Sequence, residues 1–239
     1  MAHKTEAAQG KKSSRTEVPC LVFDLEYTAY PGGDSMYRAL EASLKKRDIE
    51  LTPVLFARHG LACPTPRRLN RLLESLGQEK HKTEELAEEI DKHFRQALED
   101  SQPSQHLCKV LQEAAANKTP LGVISGLDEE LTRALIDRLK LPTEPLLLHQ
   151  AWREINGRTR PEPWLQLAVA LQAVPSQCVA LTACAAAANS ALVAGMHCVV
   201  IPDNHSAFQD FGGADMVIEN PRELQLQPLL ALVTPFTRN

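Results

Sequence analysis

The sequence predicts an α/β protein with a mostly parallel sheet and a small helical domain inserted after its first strand. Three observations support this fold class. Short apolar runs alternate with amphipathic helical segments, which is the pattern of βαβ units. Residues 34–100 follow the first run and keep helical periodicity without any strand signal. With 239 residues, 44% of them hydrophobic, the chain can bury one core and an appended domain.

The first strand lies in residues 20–26, CLVFDLE. Its apolar centre ends on two carboxylates, Asp24 and Glu26. An apolar run of this length, flanked by turn residues, is typical of a buried parallel strand. In open α/β sheets, ligands bind in the crevice beyond the carboxyl ends of the strands. We therefore predict a site at Asp24, with Glu26 facing the same space.

The other elements follow from the spacing of apolar residues along the chain. Helices are predicted at 35–48, 67–77, 83–100, 104–117, 128–140, 163–173 and 185–194. Further strands are predicted at 120–125, 146–149, 178–182, 197–201 and 215–218. This order divides the chain into a polar, disordered tail at 1–17, an α/β core at 18–30 and 101–239, and a helical domain at 31–100.

Composition favours a soluble cytoplasmic protein. The formal net charge is −4 and no basic stripe is interleaved with aromatic residues, which argues against nucleic-acid binding. Six scattered cysteines without a CxxC pair fit a reducing compartment. Residues 179–201 are long and almost uncharged, but they are rich in alanine and interrupted by polar residues, which disfavours a membrane span. We therefore expect neither a nucleic acid nor a membrane as partner.

Four segments carry a recognisable combination of motifs. They are an apolar strand with two carboxylates (21–28, LVFDLEYT), a strand ending on a hydroxyl (123–125, VIS), a basic residue before Pro-x-Pro (158–164, RTRPEPW), and an apolar strand and helix leading to Ala-Gly-Met (178–184, CVALTAC, and 194–203, AGMHCVVIPD). In this combination the chain resembles the haloacid-dehalogenase (HAD) superfamily, in the subfamily with a helical cap that includes β-phosphoglucomutase-like phosphatases. The resemblance implies a Rossmann-like core and an all-helical cap.

The resemblance also implies roles for individual residues. Asp24 would be the nucleophile that attacks a phosphoryl group, and Glu26 the acid/base. Ser125 and Arg160 would bind the phosphate. The family uses Mg²⁺, held by the first aspartate and a carboxylate of the fourth motif, and such chemistry depends on positioning and charge neutralisation. Asp24 and Glu26 are thus the metal-ligand candidates that remain here.

The sequence departs from the family pattern at several of these positions. Glu26 stands in place of aspartate, Tyr27 in place of glycine and Arg160 in place of lysine. Thr182 and Ala183 occupy the positions of the acidic pair in the fourth motif. Since Mg²⁺ prefers carboxylate and other oxygen ligands in an octahedral arrangement, the loss of this pair makes Mg²⁺ binding doubtful.

We therefore predict a HAD-like protein with a degenerate site, without Mg²⁺-dependent phosphatase activity, that binds a phosphorylated small molecule or a protein partner. The alternative is an active phosphatase or phosphomutase with Asp24 as nucleophile. A nucleotide-cofactor oxidoreductase is disfavoured because no G-x-G-x-x-G follows a strand.

Structural roles remain open for the same residues. Asp24 could cap the following turn or pair with Arg160, and Glu26 could be a solvated turn residue. Ser125 could be the N-cap of the helix that follows it.

Overall fold

One parallel sheet forms the centre of the fold in the computed structural model, which describes residues 18–60, 66–78, 83–149 and 160–233. The strands are β1 (Cys20–Asp24), β2 (Leu121–Ser125), β3 (Leu146–His149), β4 (Cys178–Thr182), β5 (His197–Val200) and β6 (Met216–Val217). All neighbouring pairs are parallel, in the order β3-β2-β1-β4-β5-β6. The predicted α/β class is therefore confirmed.

Strand β1 lies at the point where the strand order changes direction. From β1 the chain passes to β2 and β3 on one side, and then returns to β4, β5 and β6 on the other. In open α/β sheets, this switch point forms a crevice beyond the carboxyl ends of the strands. The topology thus places the end of β1 between the ends of β2 and β4.

Each face of the sheet is covered by helices. The helices are α1 (Gly32–Lys45), α2 (Pro53–Leu55), α3 (Pro66–Ser75), α4 (Thr83–Asp100), α5 (Gln105–Ala116), α6 (Glu129–Asp137), α7 (Glu162–Ala170), α8 (Ala185–Val193) and α9 (Leu226–Ala231). Because side chains alternate along a strand, Leu21 and Phe23 of β1 join the core beneath α5, α6 and α9. Cys20 and Val22 face the opposite core beneath α7 and α8.

Residues 32–100, called the helical insertion below, carry α1 to α4 between β1 and α5. Helix α1 packs against α4, and the apolar stripes that the sequence shows on these helices are buried. Met36, Leu40 and Leu44 of α1 pack in one cluster with Ile90 and Phe94 of α4. The helical periodicity predicted for these segments is therefore confirmed.

The structure also contains local features that the sequence analysis did not predict. Leu25–Ala29 and Phe56–Gly60 each form a single π-helical turn, and Pro53–Leu55 forms a short helix. The N-cap of α6 is Asp128, which accepts a hydrogen bond from the Leu131 amide at 2.9 Å, so the interpretation of Ser125 as this cap is wrong.

The uncharged segment 179–201 does not form a continuous apolar helix but folds as β4, α8 and β5. Among the described residues, none of the helices combines the length and the apolar character needed to cross a bilayer. The tail predicted at 1–17 and the motif residues Arg158 and Thr159 lie outside the described residues.

Candidate functional site

Three strand ends meet at the switch point and bring the predicted site residues Asp24 and Ser125 together. Asp24 is the last residue of β1, Ser125 the last of β2 and Thr182 the last of β4. The register pairs Asp24 with Ile124, directly before Ser125, and pairs Phe23 with Leu181, directly before Thr182. The site is therefore a consequence of parallel pairing on both sides of β1.

The carboxylate of Glu26 lies within this group of strand ends. Glu26 belongs to the π-helical turn after β1 and is only 2% exposed, so the interpretation of Glu26 as a solvated turn residue is wrong. Its Oε1 atom accepts hydrogen bonds from Ser125 Oγ at 2.6 Å, Gly126 N at 2.8 Å and Leu127 N at 3.3 Å. Glu26 is thus bound to the loop that follows β2.

Asp24 is equally buried and is held by the same turn. Its side chain accepts a hydrogen bond from the Tyr27 amide at 3.0 Å, so Asp24 does cap the turn. Burial raises the pKa of the Asp24 carboxyl well above its ordinary range, and the charge of Glu26 and a hydrogen bond with it raise that pKa further, against the lowering effect of the Tyr27 amide. These influences favour a protonated Asp24.

The two carboxyl groups complement each other if they share this proton. Glu26 Oε2 is buried and has no N–H or hydroxyl donor among the described residues. The Asp24 side chain forms a hydrogen bond with Glu26, and this bond is one cause of the raised pKa of Asp24.

The end of β4 supplies no carboxylate to the site. Thr182 is fully buried, with its Oγ1 atom 3.7 Å from Cys198 Sγ, and Ala183 is 3% exposed. The next acid along the chain, Asp203, accepts hydrogen bonds through Oδ1 from the amides of His205 and Ser206, both at 2.9 Å. Asp203 therefore stabilises its own loop.

The residues present do not fit Mg²⁺. Among the described residues, no group of three or more His, Cys, Asp or Glu side chains is arranged to hold a metal ion. Glu26 uses one oxygen for three hydrogen-bond donors, and Thr182 and Ala183 add no carboxylate. Hard oxygen ligands are therefore too few at this site for an octahedral cation.

Arg160 does not join the other predicted site residues. Its side chain is exposed, whereas Asp24 is buried. The groups that shift the pKa of Asp24 do not include Arg160, and no ion pair joins the two residues. The backbone carbonyl of Arg160 accepts a hydrogen bond from Ser190 Oγ at 2.5 Å, which fixes this segment against α8. The suggested ion pair between Arg160 and Asp24 is therefore wrong.

The other hydrogen-bond donors of the site were not predicted from the sequence. The Gly126 and Leu127 amides bind Glu26, and Thr132 Oγ1 lies 2.9 Å from Ser125 Oγ while it donates to the Asp128 carbonyl at 2.7 Å. Backbone amides have no side-chain signature, so the only sequence signal was their position after a strand that ends in serine. Thr132 lay within a predicted helix and gave no separate signal.

The helical insertion contacts the loop after β5 beside this site. The His205 ring stacks on Tyr37 of α1, with centroids 4.9 Å apart and an interplanar angle of 21°. Its edge meets Phe56, with centroids 5.0 Å apart. His205 Nε2 also lies 3.7 Å from Asp34 Oδ1. Aromatic packing thus joins the insertion to the core.

No family model matches this sequence, and neither does any curated protein sequence. Solved structures do resemble it. β-Phosphoglucomutase from Clostridium difficile has a TM-score of 0.72 at 16% identity, covering 90% of this chain and 97% of that one. CbbY from Rhodobacter sphaeroides in complex with xylulose-(1,5)bisphosphate has a TM-score of 0.71 at 16% identity, covering 89% and 99%. The chain has the HAD fold.

A third similar structure is a family IA, variant 3 HAD hydrolase from Entamoeba histolytica, with a TM-score of 0.70 at 16% identity, covering 90% of this chain and 99% of that one. The predicted HAD-like fold with its helical cap is therefore confirmed. Identities of 16% establish the fold alone, because one fold supports many functions. The function depends on the chemistry of Asp24, Glu26 and the strand ends around them.

Proposed function

We propose that this protein is a HAD-fold protein without Mg²⁺-dependent phosphatase activity, and that it acts by binding a partner. One observation carries the proposal. The carboxylate of Glu26, which the family pattern would assign to acid/base chemistry, instead accepts hydrogen bonds from Ser125, Gly126 and Leu127. In this arrangement the hydroxyl expected to bind phosphate is already engaged by a carboxylate of the chain itself.

The composition of the strand ends supports the same proposal. Phosphoryl transfer requires a cation and its carboxylate ligands to offset the charge of the transferred group. Thr182 and Ala183 provide none at the end of β4. The metal site would have to be restored before the family chemistry could operate.

A protein partner is the better of the two binding candidates. A phosphorylated small molecule bound at Ser125 would have to displace Glu26 from three hydrogen bonds. A protein that docks on the outer surface of the fold would leave this buried arrangement intact. The protein therefore functions by binding another protein, within the cytoplasm, and not by turnover of a phosphate ester.

The second candidate function is an active phosphatase or phosphomutase with Asp24 as its nucleophile. Asp24 at the end of β1, at the switch point of the sheet, is the observation that favours it. This function requires Asp24 to ionise and Glu26 to leave Ser125.

Activity measurements with matched variants separate the two functions. The unaltered protein and Asp24→Asn are assayed against a panel of phosphate monoesters with Mg²⁺. We expect equal, background rates from both. Turnover by the unaltered protein that Asp24→Asn abolishes would show that the protein is an enzyme and would overturn the proposal.

Calorimetry with Mg²⁺ then tests the reason for inactivity. Ala183→Asp restores a carboxylate after β4, whereas Ala185→Asp adds the same charge two residues further on, in α8. We expect Mg²⁺ affinity to rise in Ala183→Asp and not in Ala185→Asp. Strong Mg²⁺ binding by the unaltered protein would contradict the account given for Thr182 and Ala183.

A further inference from the structure

Three hydrogen-bond donors converge on one point in the loop after β2. They are the Ser125 hydroxyl and the amides of Gly126 and Leu127, which lie 2.6, 2.8 and 3.3 Å from Glu26 Oε1. Successive backbone N–H groups that face one acceptor form a concave site with affinity for anions. Below, Ser125, Gly126 and Leu127 are called the donor cradle.

The cradle is held in place independently of Glu26. Ser125 is fully buried and continues the ladder of β2, which fixes its backbone. The Leu127 amide also lies 3.2 Å from Ser125 Oγ, and Thr132 Oγ1 lies 2.9 Å from the same atom. Thr132 is itself fixed by its bond to the Asp128 carbonyl at 2.7 Å. These contacts belong to β2, α6 and the loop between them, so the donors keep their direction whichever acceptor they face.

The cradle requires an acceptor because Ser125 and Leu127 are buried and Gly126 is half-buried. A buried donor without a partner destabilises the folded state. Here the acceptor comes from the turn after β1, and it is a carboxylate that is 2% exposed. Its second oxygen, Oε2, has no N–H or hydroxyl donor among the described residues. The buried Glu26 carboxylate thus satisfies the cradle through one oxygen.

We propose that the donor cradle is an oxyanion-binding site whose occupant is the chain's own Glu26 carboxylate, which excludes inorganic phosphate and phosphate esters. This inference rests on the proposed function, because it explains how the same site is kept from binding a phosphorylated ligand. Glu26 acts here as an internal ligand. Removal of its carboxylate leaves the Ser125 hydroxyl and the Gly126 amide without their acceptor, and together with the Leu127 amide they can then bind a phosphate-class oxyanion.

Inorganic phosphate is the probe, and the amide signals of Gly126 and Leu127 in heteronuclear NMR spectra are the readout. The unaltered protein is compared with Glu26→Ala, which removes the internal ligand, and with Glu26→Gln, which keeps an acceptor oxygen of similar shape. We expect phosphate to shift both amide signals in Glu26→Ala with an affinity at least about tenfold higher than in the other two proteins, which corresponds to about 1.4 kcal/mol. Sodium chloride at matched ionic strength should produce no such shift.

A second substitution assigns the binding to the cradle. The double variant Glu26→Ala/Ser125→Ala also removes the hydroxyl donor. We expect it to bind phosphate about tenfold or more weakly than Glu26→Ala, because the charged phosphate loses one hydrogen bond. If Glu26→Ala is unstable on its own, its unfolding temperature is measured with increasing phosphate. Binding to the folded state must then raise that temperature.

The results that would contradict the internal-ligand inference concern phosphate binding, whereas those that would contradict the proposed function concern phosphate-ester turnover. Phosphate shifts of equal affinity in the unaltered protein and in Glu26→Ala would overturn the inference. So would a folded Glu26→Ala without shifts at Gly126 and Leu127, or an unstable one that phosphate does not stabilise. Phosphate-ester turnover by the unaltered protein would instead overturn the proposed function, and it is measured in the same samples.

Discussion

The carboxylate of Glu26 and the hydroxyl of Ser125 lie 2.6 Å apart, although 99 positions separate these residues in the chain. The contact links the turn after β1 to the end of β2 inside the protein. A hydrogen bond to a charged group contributes about 1.5–3 kcal/mol to stability, more than one between neutral groups. This bond therefore affects both the stability of the fold and access to the site.

Replacement of Ser125 by alanine should destabilise the protein. We expect Ser125→Ala to lower the free energy of unfolding by about 1.5–3 kcal/mol, because Glu26 Oε1 loses its shortest hydrogen bond while it stays buried. Denaturant unfolding measures the loss. Ser176→Ala, at an exposed position, is the control and should change little. In a double-mutant cycle, Ser125→Ala should lower the free energy of unfolding by less in the Glu26→Gln background than in the unaltered protein. An equal loss in both backgrounds would show that the charge of Glu26 is not involved.

Asp24→Asn should stabilise the protein at neutral pH. The native state raises the pKa of Asp24 above its ordinary value of 3.8, so the native state keeps a proton that the unfolded chain releases. The stability that this proton provides is complete below about pH 4 and is lost as the pH rises through the folded pKa. Asparagine needs no proton, and it can still accept from Tyr27 and donate to Glu26. At about pH 7 we expect a gain of about 1 kcal/mol or more.

Denaturant unfolding between about pH 3 and pH 8 tests this expectation. The unaltered protein should lose stability relative to Asp24→Asn as the pH rises. Asp137→Asn removes an exposed carboxylate of α6 and should follow the unaltered protein. A gain from Asp24→Asn that does not depend on pH would refute the assigned protonation of Asp24.

Substitution of His205 should loosen the contact between the helical insertion and the loop after β5. The ring stacks on Tyr37 and meets Phe56 edge to face. Aromatic pairs of this kind contribute about 0.5–1.5 kcal/mol beyond their buried area. We expect His205→Ala to cost at least this much and to speed hydrogen exchange in α1. Phe208 lies on the same loop but is 63% exposed, so Phe208→Ala is the matched control; equal effects of both substitutions would mean that the stacking contributes nothing.

Gly32→Ala should destabilise the protein, although alanine normally improves a helix by about 0.5–1 kcal/mol. A Cβ atom at Gly32 would lie 2.4 Å from the backbone oxygen of Glu26, so the turn that carries Glu26 would have to move. We expect a net loss of about 1–3 kcal/mol in thermal or denaturant unfolding. Gly212→Ala, where the nearest atom is a carboxylate oxygen of Asp210 at 3.2 Å, should be close to neutral. A stabilising Gly32→Ala would show that the turn adapts freely.

Local patterns were sufficient to predict most of the fold. The strands at 146–149 and 178–182 begin and end in the structure at the predicted residues, because buried parallel strands are short apolar runs between turn signals. The stripe of Met36, Leu40 and Leu44 likewise identified α1, since helical spacing places these residues on one buried face. The π-helical turns were not predictable in this way, because they depend on contacts with distant elements.

The sequence by itself determined the HAD-like fold, the order of its strands and helices, and the residue types available at the end of each strand. Those types already included an acid at 24 and 26, a hydroxyl at 125, and no acid at 182 or 183. Only the tertiary structure decided that Glu26 accepts a hydrogen bond from Ser125, that burial raises the pKa of Asp24, and that Arg160 is exposed. The physical reason is that hydrogen-bond partners and burial depend on groups brought together from distant parts of the chain. Apolar periodicity, in contrast, depends only on residues a few positions apart in the sequence.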